Sequence, residues 1–293
     1  MTLFLLGVLG AVLAATLYNG GTAFQALEAR ETSPSRALRP SLLAGLAVQR
    51  RWLLGTLLVT AGWVLQAAAL LVTPLTVVQP ILAVGLVLLL VVGTRLLHER
   101  VGPREITAVA AICAGLVALT IAAPAHTLTR ASAGALAIGL VALGTAALLP
   151  YLLGGLGRRP GVSVVLGAGL AYAWCGVTTK LVADAAGRGD WGIAGLWVLA
   201  TAMAAGVGLL SEMTALQTRP ATRVAPVVLV VDIVVAVGFA GALVGERWDQ
   251  TALGGAVLLG GVVLLTGGAA VLASSPAVAA AGHPEAAQPA GEH

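Results

Sequence analysis

Few residues in this chain could carry chemistry, since charged residues occupy only 10% of its 293 positions. Asp232 lies near the middle of a long apolar stretch of the sequence. A carboxylate inside an apolar helix must be protonated, paired with a partner, or in contact with water or a cation. The position predicts that Asp232 couples the movement of a proton or cation. The alternative is an acid that hydrogen bonds hold to a neighbouring helix.

Two further charged residues lie within apolar stretches, and each has two interpretations. Lys180 is the only lysine of the chain, and its long stem could reach the membrane interface. It could instead pair with Asp232, with Glu212 or with an anionic substrate. Glu212 could extend to the surface beside Arg219, or it could point at the centre of the molecule.

Two of the apolar stretches carry clusters of polar and aromatic side chains. At helical spacing Tyr18, Thr22 and Gln25 share one face, and Asn19 lies beside them. The second cluster comprises Tyr172, Trp174, Cys175, Thr178 and Thr179, of which Tyr172, Cys175 and Thr179 share a face. Such faces suit the wall of a polar cavity, although hydroxyl and thiol groups also bond back to the carbonyls of their own helix.

The elements that position these residues follow from the composition. Hydrophobic residues make up 59% of the chain, and the mean hydropathy is +0.99. A soluble domain carries about 25% charged residues, so a soluble globular protein and a disordered chain are excluded. No run of arginines is dense enough to follow a nucleic-acid backbone. The sequence predicts an all-α polytopic membrane protein of about nine transmembrane helices, at residues 3–25, 52–72, 74–95, 104–123, 131–154, 161–185, 191–214, 222–244 and 250–273.

The distribution of arginines between the predicted loops gives the orientation. Alternating the loops between two sides places twelve arginines on one side and three on the other. Because basic loops stay in the cytoplasm, we expect a multi-pass protein of the cytoplasmic membrane with its N-terminus outside and its C-terminus inside. Loop 26–51 is then cytoplasmic, and its segment 41–48, too short to span, is expected to lie along the interface. The Ala/Pro-rich tail 274–293 is predicted to be disordered.

The chain contains an internal repeat. Residues 69–80 and 215–226, which are 146 positions apart, share the pattern A-L-x-x-x-P-x-T-x-V-x-P. Glu99 and Arg100 follow the first copy, and Glu246 and Arg247 follow the second. We therefore predict a first four-helix repeat at 1–127, a linker helix at 128–160 and a second four-helix repeat at 161–273. An odd number of crossings separates the copies, so their orientations are opposite, as in many secondary transporters.

Several residues gain significance from this repeat. Gln66 and Glu212 occupy equivalent positions, which suggests that both copies direct a polar group at a shared centre. Gln79 lies in the first copy of the motif, next to Pro80. Pro80 and Pro226 fall inside predicted helices, where a proline frees a carbonyl and can form a hinge or a simple packing kink.

The repeated proline motif, followed by Glu-Arg and a glycine-rich helix, resembles the drug/metabolite transporter superfamily over about residues 3–273. The nine-helix pattern and the segment PLTVVQP are similar to the branch of NIPA-like magnesium transporters, and the EamA-like exporters are the other branch considered. The resemblance implies a structural or gating role for Glu99, Arg100, Glu246 and Arg247, for which an ordinary solvated loop pair is the alternative.

The expected function is that of a secondary transporter or permease that moves a small metabolite or a divalent cation by alternating access. A magnesium transporter of the NIPA-like type is one alternative, and a membrane scaffold without transport activity is another. Common hydrolase, metalloprotease and nucleotide-binding motifs are absent from the sequence, so no enzyme and no cofactor are expected. A metal site is not certain. Expected partners are a small solute or cation and membrane lipid, but no nucleic acid, and homodimer formation is left open.

Overall fold

The computed structural model describes residues 2–72, 75–97, 99, 101–122, 133–155, 161–239 and 255–274. Within these ranges the ordered elements are helices, and no β-strand occurs. The α-helices, in chain order, are α1 (Thr2–Glu31), α2 (Pro40–Leu46), α3 (Arg50–Val72), α4 (Leu75–Arg95), α5 (Pro103–Ile121), α6 (Ala133–Gly155), α7 (Val162–Gly187), α8 (Trp191–Thr218), α9 (Ala221–Phe239) and α10 (Ala256–Ala273). The prediction of an all-α protein is confirmed.

The helices have the length and outer surface of a membrane-embedded protein. Six are long and apolar enough to cross a membrane, namely Leu3–Glu31, Pro103–Ile121, Gly134–Gly154, Val162–Thr179, Trp191–Thr218 and Ala256–Ala273, and the bent pair Pro40–Leu46 and Arg50–Gln66 raises that number to seven if it forms one span. Large apolar side chains cover the outside, and Leu57, Ile138, Met203 and Val263 are each at least 65% exposed. Apolar side chains exposed at this density suit lipid better than water.

The first helix is longer than the sequence predicts. The predicted segment ends at residue 25, but α1 continues to Glu31. The added turns carry Glu28 and Arg30, which sequence analysis places in a loop because they are charged. In the structure, Glu28 lies 3.9 Å from Arg51, and Arg30 forms an ion pair with Glu99. Pairing of the charges allows the helix to continue beyond the apolar stretch.

The short segment after α1 is helical. Helix α2 begins at Pro40, whose fixed φ suits the first turn of a helix. It meets the start of α3 at an angle of 95°. Leu42 and Leu46 are buried, so α2 packs against the bundle through its apolar side. Its predicted location along the membrane interface stays a prediction.

The long helices pack in two corresponding sets. Helix α1 packs against α3 and α4, and α7 packs in the same way against α8 and α9. Helix α4 contacts α5, and α9 contacts α10. The sets are joined by an extensive contact between α5 and α10, whereas α6 packs mainly against α7. The contacts among α1, α3, α4 and α5 thus follow the same pattern as those among α7, α8, α9 and α10.

Two glycines determine how closely α5 and α10 approach each other. A Cβ atom added to Gly115 would lie 2.7 Å from the carbonyl oxygen of Gly261, and one added to Gly261 would lie 3.0 Å from the carbonyl oxygen of Gly115. Both distances are too short for a methyl group, so only glycine permits this crossing. Small residues allow such close backbone contacts between helices in membranes.

Replacing Gly115 with alanine is therefore expected to destabilise the protein by about 1–3 kcal/mol, the usual cost of overpacking. Gly260→Ala is the matched control, because Gly260 belongs to α10 and has nothing within 4 Å of an added Cβ. The control should leave stability unchanged or raise it, since alanine favours helix by up to about 1 kcal/mol. Thermal unfolding followed by tryptophan fluorescence checks both variants. Equal melting temperatures for the two would contradict the predicted crossing.

Candidate functional site

A cavity of about 270 Å³ lies between α1, α3, α7 and α8. Its walls are formed by Tyr18, Thr22 and Gln25 of α1, Val59, Thr60 and Trp63 of α3, Tyr172 of α7, and Leu209 and Glu212 of α8. Each of the two helix sets contributes two helices. The cavity is therefore a site at the junction of the sets, open to the surface beside Tyr18 and Trp63, with aromatic, hydroxyl, amide and carboxylate groups in its wall.

Hydrogen bonds fix the polar groups of the cavity. The Tyr172 hydroxyl donates to Oε2 of Glu212 at 2.6 Å. Gln25 donates through Nε2 to Oγ1 of Thr56 at 3.1 Å, which links α1 to α3. The Thr22 hydroxyl donates to the carbonyl of Tyr18, one turn earlier in α1. Oε1 of Glu212 accepts no hydrogen bond from the described residues, so this oxygen remains available to a ligand.

The structure brings together only part of the predicted site. Of the predicted substrate-site residues, Tyr18, Thr22 and Glu212 line the cavity. Gln66, Asn19, Trp174, Cys175, Thr178 and Thr179 are not among its lining residues. Asn19 donates to the carbonyl of Ala15 in its own helix at 2.8 Å, and Trp174 packs close to Gly144 of α6.

The hydroxyl groups of the second predicted cluster bond back to α7. Thr179 donates to the carbonyl of Cys175 at 2.7 Å. Thr178 is fully buried and donates to the carbonyls of Trp174 and Cys175, each at 3.0 Å. Thr201 of α8 also donates to the Thr178 hydroxyl at 2.9 Å. These threonines stabilise the contact between α7 and α8, in agreement with the alternative of bonding back to their own helix.

Asp232 occupies a separate position in α9. Its side chain is partly buried, and it has no hydrogen bond or ion pair with any residue in the described part of the chain. The sequence prediction placed Asp232 at the cavity, but the carboxylate that lines the cavity is that of Glu212.

Several predicted residues cannot be compared with the structure. Glu246, Arg247 and Arg100 lie outside the described residues, as do the side chains of Gln79, Pro80 and Lys180 within their helices. Pro226 is described, and it is buried inside α9, which continues beyond it to Phe239. The hinge and gating roles of these residues remain predictions.

Sequence analysis missed the contribution of α3 to the cavity. Thr56, Thr60 and Trp63 follow one another at spacings of four and three residues, which places them on one face of a helix. Thr60 and Trp63 line the cavity, and Thr56 accepts the hydrogen bond from Gln25. This face could have been found by the same periodicity that identified Tyr18 and Thr22.

A second polar cluster closes one end of the bundle, marked by Arg30, Arg51, Arg219 and Arg223 and called here the arginine-rich end. Glu99, whose side chain is 3% exposed, pairs with Arg30 there. Its carboxylate also accepts hydrogen bonds from the backbone N–H groups of Ala221 at 2.7 Å and Thr222 at 3.0 Å, and from the Thr222 hydroxyl. Glu99 therefore caps the N-terminus of α9, where a negative charge is favoured.

Other contacts at the arginine-rich end join the two helix sets. Arg223 donates through Nη2 to Glu105 at 3.1 Å, and both side chains are buried. Glu105 also accepts from the N–H of Gly102, so it holds the start of α5. Gln217 at the end of α8 donates to the carbonyl of Ser33 at 3.1 Å. Burial lowers the pKa of the Arg219 guanidinium, which nevertheless stays protonated at physiological pH.

The donor set of the site argues against a metal centre. Among the described residues, no group of three or more His, Cys, Asp and Glu side chains could hold a metal ion. The cavity can instead enclose a small solute between aromatic rings, hydroxyl groups and one carboxylate. No family model matches the sequence, and no curated protein or solved structure shows significant similarity to it.

Proposed function

We propose that this protein is a secondary transporter that carries a small solute across the cytoplasmic membrane by alternating access. The observation that carries the proposal is the polar cavity between α1, α3, α7 and α8. In a membrane protein, polar groups in the wall of a cavity are costly unless they contact water or a solute. Binding sites at the junction of two helix repeats are typical of secondary transporters.

The packing of α5 against α10 supports two repeats of opposite orientation. Gly115 and Gly261 are 146 positions apart, which is the separation of the repeated proline motif. Each of these glycines lies against the carbonyl oxygen of the other. Such reciprocal contact between residues of corresponding helices is expected where a pseudo-two-fold axis passes between repeats. The corresponding packing of α1 on α3 and of α7 on α8 agrees with this symmetry.

The contacts at the arginine-rich end support the proposed topology of nine membrane crossings. Arg30 at the end of α1 pairs with Glu99, which follows α4. Glu99 in turn accepts a hydrogen bond from Ala221 at the start of α9. If the helices cross the membrane alternately, the end of α1, the end of α4 and the start of α9 must lie on the same side, as these contacts require. The excess of arginines at this end favours a cytoplasmic location, with the N-terminus of the chain outside. In the proposed cycle, opening of the cavity to the cytoplasm separates the helices that Glu99 and Arg30 hold together.

A small organic metabolite fits the site better than magnesium does. Magnesium requires near-octahedral oxygen coordination and sheds its water reluctantly. Among the described residues the cavity wall offers one carboxylate, that of Glu212, and no further charged oxygen ligand. The transported solute is therefore proposed to be held by several weak contacts rather than by a cage of carboxylates.

Accessibility to water is the first test of the cavity. With Cys113 and Cys175 replaced by alanine, we expect Thr60→Cys to react with a hydrophilic, membrane-impermeant maleimide, because thiols react as thiolates in water. Leu57→Cys is the control: Leu57 also lies in α3 and is 65% exposed, but it does not line the cavity. It should stay unlabelled in lipid. Labelling of the control alone would contradict the proposed cavity.

Transport itself is tested in proteoliposomes. Uptake of a panel of labelled metabolites, amines and divalent cations should reveal flux that depends on the protein. Flux of magnesium alone would favour the magnesium transporter. A folded protein that carries no solute in either direction would favour a scaffold without transport activity.

A further inference from the structure

The wall of the cavity combines one carboxylate with three aromatic side chains. Tyr18, Trp63 and Tyr172 line it together with Glu212, and among the described residues no lysine, arginine or histidine lines it. We infer that the cavity binds a compact organic cation of the alkylammonium class, with Glu212 as its counter-ion. This inference rests on the proposed function, and it names the class of solute that the transporter carries.

Glu212 is placed to pair with a ligand. The Tyr172 hydroxyl holds its Oε2 at 2.6 Å, which fixes the orientation of the carboxylate. Its Oε1 has no hydrogen-bond donor among the described residues, and none of the three described ion pairs includes Glu212. Within the described part of the chain this carboxylate has no cationic partner, and an ionised carboxylate in an apolar surrounding attracts a cation strongly.

The aromatic side chains select an organic cation over a metal ion. The face of an aromatic ring carries negative charge density and attracts a cation within about 6 Å of its centre. An alkylammonium ion sheds its water easily and can use both the rings and the single carboxylate. A divalent metal ion needs several oxygen ligands instead. An anion would be repelled by Glu212 and by the faces of the rings.

The size of the cavity limits the ligand. Its volume of about 270 Å³ lies just below the range of about 300–1,000 Å³ that drug-sized ligands occupy. A quaternary ammonium ion with methyl groups and one short arm fits this space. An ion with four butyl chains does not.

The test measures binding to the full chain in lipid nanodiscs by calorimetry, with choline as the probe. The first comparison is 3,3-dimethylbutan-1-ol, which has the shape of choline without its charge. Choline is expected to bind at least tenfold more tightly than this alcohol, because the pairing with Glu212 and the rings acts only on the cation. Tetrabutylammonium is expected to show no binding.

The key variant is Glu212→Gln, which keeps an oxygen for the Tyr172 hydroxyl but removes the charge. It should weaken the binding of choline at least tenfold and leave the binding of the alcohol unchanged. Glu31→Gln is the matched control, because Glu31 is exposed and does not line the cavity. Trp63→Leu is a second variant, which leaves Glu212 intact. It should weaken the binding of choline more than the binding of the alcohol. A melting temperature equal to that of the parent confirms folding of each variant.

Equal binding of choline and the alcohol, or choline binding that survives both Glu212→Gln and Trp63→Leu, would overturn the inference. Failure of this inference and failure of the transport proposal give different results. If a solute other than an ammonium ion crosses proteoliposomes while choline does not bind, transport stands and the solute class is wrong. If choline binds as expected but no amine crosses, the site stands and transport is wrong.

Discussion

Replacing Glu99 with glutamine is expected to lower the free energy of unfolding by about 3 kcal/mol, the lower end of the range for breaking a buried ion pair. The carboxylate pairs with Arg30 and accepts from two backbone N–H groups at the start of α9. Glutamine retains one acceptor oxygen, so it leaves Arg30 or part of the helix terminus without a partner. Thermal unfolding in one detergent, followed by tryptophan fluorescence, measures the change.

Two further variants separate the charge of Glu99 from its shape. Glu31→Gln makes the same chemical change at an exposed position of α1, and surface substitutions of this kind usually shift stability by less than about 0.5 kcal/mol. Glu99→Asp keeps the charge on a shorter side chain and should recover part of the loss. A Glu99→Gln protein as stable as Glu31→Gln would mean that Glu99 is dispensable for the contact between α1 and α9.

Glu99 also illustrates how much of the fold could be predicted from sequence. Long apolar stretches predict helices because every backbone polar group in lipid must be satisfied within its own segment. The long helices from α3 to α8 therefore begin and end within a few residues of the prediction, whereas the predicted end of segment 222–244 and start of segment 250–273 lie outside the described residues. The end of α1 extends further than predicted, because the apolar pattern stops at residue 25 whereas the ion pair of Arg30 with Glu99 is made by a longer helix. No local pattern around Arg30 identifies that partner, which is 69 positions further along the chain.

The candidate site could be predicted in part for a related reason. Helical periodicity identifies Tyr18 and Thr22 as members of one polar face, and both line the cavity. Periodicity does not determine which way a face points. The face with Cys175 and Thr179 looked equivalent in sequence, but only its Tyr172 reaches the cavity wall. That outcome depends on the rotation of α7 against α8 and α9, which distant side chains decide.

Sequence position was also insufficient to determine which of the two carboxylates in the apolar helices lines the cavity. Sequence position made Asp232 the stronger candidate for the cavity, because it lies deeper in its helix than Glu212 does. In the structure Glu212 lines the cavity and Asp232 lies on α9 without a partner among the described residues. We propose that Glu212 binds the solute and that Asp232 couples its movement to a proton or cation.

The variant Asp232→Asn is therefore expected to abolish gradient-driven accumulation of solute while leaving binding of the solute intact. Asparagine is nearly isosteric with aspartate and keeps hydrogen bonding, but it cannot titrate. A charged side chain at the bilayer centre costs about 2.5–3.5 kcal/mol, so an acid without a partner there is expected to gain and lose its charge during a cycle. The assay compares net uptake driven by an ion gradient with exchange of labelled for unlabelled solute in proteoliposomes.

Exchange is the internal control of this experiment, since it needs the cavity to open on both sides but needs no net movement of a coupling ion. Coupling by Asp232 predicts that Asp232→Asn loses net uptake and retains exchange, whereas Glu212→Gln lowers both because the solute binds at least tenfold more weakly. If Asp232→Asn accumulates solute as the parent does, Asp232 has a structural role and its charge is stabilised by contacts within the fold. Loss of both net uptake and exchange, in a variant that still binds solute, would place Asp232 in the conformational change rather than in coupling. Net uptake and exchange, measured on the two isosteric variants, thus distinguish the role of Asp232 from that of Glu212.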